Sequence, residues 1–243
     1  FIAASSLARA AILMAAAAPL KHGGRQDGTG PVRKAVRPAH TGGMNYLAHL
    51  YLARHSHEAM LGALLGDFVF GRAALEDYSP VQRREILIHR RIDRYTDAHP
   101  AVVAIRERFP DGLRRFAGIA LDVYFDHLLA RDWREHSALA LDAFTQPFYR
   151  YLLAREAHLP GRLRRIAPLM AQGDWLGSYR HRDSVDLAVT RIAGRLSRNG
   201  ARLVDCLAVL RRHEIEAEAS FATFFPALVA HVDEARASQP PGG

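Results

Sequence analysis

Helical periodicity runs through almost the whole chain from Met44 onward and constrains the fold more than any other feature. Apolar residues return at three- and four-residue spacing, and no segment shows a convincing period-two alternation. Prolines and glycines interrupt the pattern at Gly71, Pro80, Pro100, Pro110 to Gly112, Pro160 to Gly161 and Gly173. We therefore expect an all-α, single-domain helical bundle. The expected helices span about 44–56, 58–70, 80–97, 99–108, 112–134, 138–157, 162–170, 183–197 and 212–236.

The first 43 residues differ in composition from the rest. They contain three prolines and six glycines and show almost no hydrophobic periodicity after residue 20. We expect 1–43 to be a disordered extension or a mis-called start, although the apolar patch 10–20 resembles the core of a signal peptide. The functional domain is expected over 44–236, followed by a disordered tail over 237–243.

Composition and charge exclude several classes of protein. A single cysteine, Cys206, excludes a disulfide-stapled secreted domain and favours the cytoplasm. No stretch approaches the roughly 18 consecutive apolar residues of a membrane span. The net charge is +8, but residues 1–43 hold six basic and one acidic side chain and so carry +5 of it. The remaining +3 gives little reason to expect a nucleic-acid partner.

One polar stripe lies on the expected helix 80–97. His89, Asp93 and Asp97 stand four residues apart and therefore share a face, beside an apolar stripe. A carboxylate at the edge of a buried face needs a cation or strong donors to stay charged. Intrahelical His–Asp pairing on a solvated face is the simpler alternative.

A second segment places two acids in an apolar helical row. Asp122 and Asp126 lie one turn apart, and burying both without compensation would cost several kcal/mol. An arginine from elsewhere would compensate them, and so would a divalent metal, for which neighbouring His127 offers a nitrogen ligand.

A third set of polar residues lies near the start of the expected domain. Asn45 and His49 lie four apart among Leu and Tyr residues, and Asp67 stands alone in an apolar run. Any one of these suits an ordinary buried polar residue, but together four helices offer His or Asp from apolar settings, as helical bundles do at metal sites. Oxygen and imidazole ligands without thiolate suit Mn²⁺, Fe²⁺ or Mg²⁺.

These segments together resemble the successive motifs of the bacterial acyl carrier protein phosphodiesterase (acyl carrier protein hydrolase) family, a divergent branch of the HD-type phosphohydrolases. The motifs are Asn45 to Leu50, Leu64 to Val69, Ile88 to Asp97, Leu121 to His127 and, more loosely, Asp174 to Arg180. The resemblance implies an HD-like fold and a metal-dependent hydrolase, usually activated by Mn²⁺. It also implies a reaction that removes 4′-phosphopantetheine from the serine of holo acyl carrier protein.

The residues and the resemblance together suggest a division of roles. His89, Asp93, Asp122 and Asp126 would hold one or two metal ions, while Asp67, His49 and His127 would be further ligands or general acids and bases. The substrate phosphate would meet Arg90 or Arg91, because a guanidinium matches phosphate oxygens. Asn45 and Asp97 would support the site.

Partner recognition leaves alternatives open. No lysine follows Gly43, and the paired arginines along the domain suit an acidic carrier protein, although a coding bias toward arginine explains them equally well. Two other functions compete. One is an HD-like phosphohydrolase of nucleotides or another small phosphodiester, and the other is a non-catalytic, arginine-rich binding module.

Overall fold

The computed structural model describes residues 46–71 and 73–238 of the chain. This part contains α-helices and short 3-10 turns but no strand. The α-helices are α1 (Tyr46–Leu52), α2 (His57–Leu65), α3 (Pro80–Ala98), α4 (Pro100–Glu107), α5 (Asp111–Arg131), α6 (Trp133–His136), α7 (Leu141–Leu153), α8 (Gly161–Gln172), α9 (Trp175–Ser178), α10 (Asp183–Ala193), α11 (Gly200–Arg212) and α12 (Glu214–Ala237). The all-α expectation is confirmed.

Helix α3 begins where the sequence provides a complete N-terminal cap. The Ser79 side chain accepts a hydrogen bond from the backbone N–H of Gln82, and the Gln82 side chain accepts one from the N–H of Ser79. Pro80 supplies the first helical residue, where its missing N–H costs nothing. The cap fixes the start of the helix that carries two of the candidate site residues, His89 and Asp93.

Helix α5 is the centre of the bundle. It packs against α1, α4, α10, α11 and α12, and every residue from Phe116 to Ala130 is buried. A helix that is apolar around most of its circumference needs neighbours on all sides. Its few polar side chains are therefore buried as well, and each must find a partner among the surrounding helices.

Two glycines one turn apart bring α2 and α3 close together. A Cβ at Gly62 would lie 2.8 Å from the Cα of Gln82, and one at Gly66 would lie 2.2 Å from Cγ of His89. The backbone angles of Gly66 are helical, so its conformation does not require a glycine. The requirement at this position is space for the His89 ring. The close approach seats the His89 ring directly against α2.

The boundaries differ from the expected ones in the C-terminal half. No helix is expected over 198–211, whereas α11 occupies Gly200–Arg212 and α12 follows after a single residue. Asn199 adopts a left-handed conformation that turns the chain into α11, and Leu203, Cys206, Leu207 and Leu210 bury one face of it. The short helix α9 is also absent from the expected set.

Several expectations lie outside the described residues. These are the disordered state of 1–43, the position of Asn45 and the last five residues of the expected tail 237–243. Ala237, which was assigned to that tail, is the last residue of α12. None of the helices described by the structure is long and apolar enough to cross a membrane.

Candidate metal centre

Four of the predicted site residues meet between α1, the end of α2 and α3. His49, Asp67 and His89 are buried, whereas the side chain of Asp93 is 22% exposed and opens the cluster to solvent. Nε2 of His49 lies 3.4 Å from Oδ1 of Asp93, and Nε2 of His89 lies 3.5 Å from Oδ2 of Asp93 and 3.4 Å from Oδ1 of Asp67. The two imidazoles stack with their centroids 3.9 Å apart.

A hydrogen bond to the backbone fixes the orientation of the His89 ring. Its Nδ1 lies 2.8 Å from the carbonyl oxygen of Ala63, to which an Nδ1–H donates. Nε2 of His89 therefore faces the two carboxylates. This is the arrangement in which a second hydrogen bond selects the tautomer of a metal-binding histidine.

Buried polar atoms in the cluster have no hydrogen-bond partner. They are Nδ1 and Nε2 of His49, Nε2 of His89 and both carboxylate oxygens of Asp67. Buried polar groups without partners cost free energy, and their convergence points to something that binds between them. One ligand atom each from His49, His89 and Asp93 lies within 4.8 Å of the other two, which is a spacing that suits a metal ion.

The two histidines differ in charge. Burial by itself lowers the pKa of His89, but the carboxylates of Asp93 and Asp67 reverse that effect and raise the pKa to about 9. Burial and the neighbouring His89 lower the pKa of His49. At neutral pH the metal-free pair therefore carries one positive charge, on the doubly protonated ring of His89, in the place where a divalent cation would bring more positive charge.

The predicted ligand Asp126 has other partners. Its Oδ2 accepts a hydrogen bond from the backbone N–H of Leu47, and its Oδ1 accepts one from the N–H of Ala48, both at 2.9 Å. Both oxygens thus accept hydrogen bonds from the first turn of α1, and the metal-ligand role expected of Asp126 stays a prediction. Asp126 fixes the helix that carries His49. Asp122 is buried one turn earlier, and its ligand role stays a prediction.

The predicted general acid or base His127 lies on another face of α5. Its Nδ1 is 2.7 Å from the carbonyl oxygen of Tyr179, and its ring packs beside that of Tyr124. Burial lowers the pKa of His127. The structure does not bring this histidine into the cluster of His49 and His89.

The predicted phosphate contacts Arg90 and Arg91 and the supporting residue Asp97 lie on α3, the helix that carries His89 and Asp93. Arg90 donates from Nη2 to the carbonyl oxygen of Val69 at 2.9 Å, so part of its guanidinium is occupied, while Arg91 is half-buried. Asp97 is 3.4 Å from Nη1 of Arg106, which places it in an ion pair one turn beyond Asp93.

Sequence reasoning missed two donors close to Asp67. The hydroxyl of Tyr46 is buried without a partner, as are Nε and Nη2 of Arg162. The Arg162 guanidinium lies 5.0 Å from the ring centroid of Phe68, the residue after Asp67. Tyr46 lies within the motif Asn45 to Leu50 and could have been identified from it, but nothing local distinguishes Arg162 from the many other arginines.

Comparison with known proteins decides the family. The family profile described as acyl carrier protein phosphodiesterase matches residues 44–228. The chain belongs to the acyl carrier protein phosphodiesterase family. A relative with the same name from Serratia proteamaculans is 36% identical over 187 residues, covering 76% of this chain and 96% of its own. One from Salmonella agona is 37% identical over 191 residues, covering 77% and 96%. No solved structure matches the chain.

The acyl carrier protein phosphodiesterase match includes the entire cluster. His49, Asp67, His89 and Asp93 all fall within residues 44–228, and so do Tyr46 and Arg162. The match begins at Met44, directly after residues 1–43, and it extends into α12.

Proposed function

We propose that this protein hydrolyses the phosphodiester that joins 4′-phosphopantetheine to the serine of holo acyl carrier protein, releasing the apo form. The convergence of ligand atoms from His49, His89 and Asp93 carries the proposal, together with the buried imidazole nitrogens of His49 and Nε2 of His89 that have no hydrogen-bond partner. Membership of the phosphodiesterase family supports the reaction class and the protein substrate. The cytoplasmic location expected from the single cysteine stays a prediction.

The donor set fits a hard or borderline divalent ion. Two imidazoles and a carboxylate, with the carboxylate of Asp67 adjacent, suit Mn²⁺, Fe²⁺ or Mg²⁺ and lack the thiolates of structural zinc sites. We propose Mn²⁺, held by His49, His89 and Asp93. Such an ion, when bound, lowers the pKa of a coordinated water and neutralises charge on a phosphoryl group.

The protein's own groups have distinct tasks in this mechanism. The Ala63 carbonyl keeps the proton of His89 on Nδ1, which leaves Nε2 as the ligand atom. Asp67 is buried beside the proposed ligands, with Oδ1 3.4 Å from Nε2 of His89, so it is placed to take a proton from the attacking water as a general base. The partly exposed Asp93 marks the side from which the substrate phosphate enters.

The test is the mass of intact holo acyl carrier protein after incubation with the enzyme in Mn²⁺ or in EDTA. We expect loss of the phosphopantetheine mass with Mn²⁺ alone. Asp93→Asn should reduce the rate at least 100-fold, because it removes a charged ligand. Asp233→Asn, an exposed position on α12, is the matched control and should react at the wild-type rate. No mass loss under either condition, or hydrolysis of nucleotides alone, would contradict the proposal.

A further inference from the structure

A cavity of about 270 Å³ lies between the end of α8, α9 and α10. Its volume is near the lower end of small-molecule sites, which run from roughly 300 to 1,000 Å³. One wall comes from Trp175, Ser178 and Tyr179, within the segment 174–180 that resembles a family motif but takes no part in the metal centre. The opposite wall comes from α10 and the residues just after it, and it includes Leu187 and Arg195.

The lining mixes three kinds of chemistry. Trp175, Leu187 and the Tyr179 ring offer apolar contact, Ser178 and Ser184 offer hydroxyl groups, and Arg191 and Arg195 offer positive charge. A long ligand with hydrocarbon, amide and anionic portions would satisfy all three. A purely apolar ligand would leave the guanidinium groups unused, and a bare phosphate would leave the apolar wall uncovered.

Buried donors lie near residues of both the cavity and the metal centre. The Tyr46 hydroxyl has no hydrogen-bond partner, and the groups close enough to shift its pKa include Asp67 of the metal centre and Tyr179 and Arg195, which line the cavity. Burial and the Asp67 charge raise the pKa of Tyr46 well above its ordinary value, so the hydroxyl keeps its proton and can donate it.

Arg162 reinforces this connection. Its guanidinium is held over Phe68, next to Asp67, and two of its nitrogens are buried without an acceptor. Burial lowers the pKa of Arg162, but a guanidinium remains charged at neutral pH. A buried cation with unused donors is strongly stabilised by an anion, and phosphate matches its geometry.

We propose that the cavity binds the pantetheine arm of the substrate and that Arg162 and Tyr46 bind the phosphate to which the arm is attached. This inference rests on the proposed function and specifies how its substrate lies. The phosphate is next to Asp67 and the metal centre, the amides and hydrocarbon of the arm extend past Ser178 and Leu187, and the carrier protein stays outside.

The arm is tested by filling the cavity. Leu187 is 50% exposed, so Leu187→Trp should fold normally while the indole occupies the space of the arm. We expect kcat/KM for holo acyl carrier protein to fall at least fivefold, with Mn²⁺ affinity and melting temperature unchanged. Ile215→Trp, at an aliphatic position 81% exposed on α12, is the matched control and should keep wild-type kinetics. A loss smaller than fivefold in Leu187→Trp overturns the inference.

The phosphate contact is tested with the free product as an inhibitor. We expect 4′-phosphopantetheine to inhibit the wild type at least tenfold more strongly than pantetheine, and Arg162→Gln to abolish most of that difference. Arg134→Gln, an exposed position on α6, should retain it. Equal preference for the phosphorylated form in Arg162→Gln and the wild type would overturn the assignment of Arg162.

Different results would contradict the proposed function and the proposed binding site for the arm. If the wild type with Mn²⁺ leaves holo acyl carrier protein intact, the proposed function fails and the arm site fails with it. If the wild type reacts and Leu187→Trp reacts equally well, only the arm site fails.

Discussion

At the scale of single residues, the stacked histidines set the response of the site to pH. His89 has a folded-state pKa of about 9 against an ordinary value of 6.5, so folding favours its protonated form. The stabilisation is fully present below pH 6.5 and is lost as the pH rises through 9. Its size is about 3 kcal/mol at roughly 1.4 kcal/mol per pKa unit.

We therefore predict that the metal-free protein loses stability between pH 6.5 and pH 9. Urea unfolding in EDTA across this range measures it, and His89→Gln should remove most of the dependence. Mn²⁺ must displace the same proton, so binding at pH 7.5 should release about one proton, seen by calorimetry in buffers of different ionisation enthalpy. A flat stability profile in EDTA would contradict the protonation of His89.

Asp126 and Asp93 should respond differently to the same substitution. Asp126→Asn turns an amide NH₂ toward the backbone N–H of Leu47 or Ala48, so we expect a loss of about 2–3 kcal/mol in unfolding free energy. At pH 10, above the pKa of about 9 of His89, Asp93→Asn should cost less than about 1 kcal/mol because Asp93 is partly exposed, and at pH 7.5 it should weaken Mn²⁺ binding at least tenfold. Urea unfolding and Mn²⁺ titration separate the two, and equal stability losses would contradict this division.

The sequence predicted which polar residues are buried better than what each of them contacts. Asp126 stands in an apolar helical row and Asp93 in a polar stripe beside one, but neither pattern shows which group reaches the carboxylate from another helix. What separates them is the group that reaches each from another helix, an imidazole of α1 for Asp93 and the first amides of α1 for Asp126. That difference depends on how α1 lies across α3 and α5, which periodicity alone does not determine.

At the scale of helices, the contact between α2 and α3 is tight enough to control the site. Gly66→Ala would place a methyl group 2.2 Å from Cγ of His89, which cannot move back without losing its bond to the Ala63 carbonyl. We predict at least tenfold weaker Mn²⁺ binding and a stability loss of about 1–3 kcal/mol from overpacking.

A matched glycine provides the control for this substitution. At Gly194, after α10, a Cβ would meet its nearest neighbour at 3.6 Å, and the backbone there is helical. Gly194→Ala should therefore bind Mn²⁺ as the wild type does. Electron paramagnetic resonance of free Mn²⁺ measures both affinities, and wild-type affinity in Gly66→Ala would show that His89 does not need its observed position.

Helix boundaries were predictable where breakers mark them and less so elsewhere. Ser79 and Pro80 predict the start of α3, and in the structure the helix begins at Pro80. No helix was expected between 198 and 211, although Leu203, Cys206, Leu207 and Leu210 have helical spacing and are buried in α11. Asn199 and Gly200 mark the start of α11, but no glycine or proline separates α11 from α12, so the boundary at His213 was not predicted.

At the scale of the whole molecule, one buried ion pair ties the last helix to the beginning of the fold. Arg236 donates to both oxygens of Glu85, at 3.2 and 2.6 Å, and to the carbonyl oxygen of Leu52 at 2.6 Å. The Glu85 side chain is only 2% exposed. Arg236→Met would leave that carboxylate buried without its cation, so we predict a loss of about 3–5 kcal/mol.

The double variant Glu85→Leu with Arg236→Met tests the cause. Removing both charges should recover most of the lost stability, because the cost arises from the unpaired carboxylate and not from the missing arginine packing. Urea denaturation of the single and double variants gives the comparison. A double variant as unstable as Arg236→Met alone would assign the loss to packing.

The net charge of +8 belongs mainly to the segment before the family match. Deleting residues 1–43 removes +5 and leaves the matched residues 44–228 intact. We predict that the shortened chain keeps its melting temperature and its kcat/KM for holo acyl carrier protein, while its retention on heparin falls. Loss of activity on deletion would show that the segment contributes to the enzyme.

The two hydrogen bonds from the backbone of α1 to Asp126 also determine at which stage of folding the site can form. A seven-residue helix is too short to persist by itself in water, and the two amides that anchor it are paired with a side chain 78 and 79 positions later. A growing chain that already contains His49, His89 and Asp93 therefore has no fixed place for His49 until α5 has been made and docked. We therefore expect His49, His89 and Asp93 to hold the proposed ion together only after the bundle has closed.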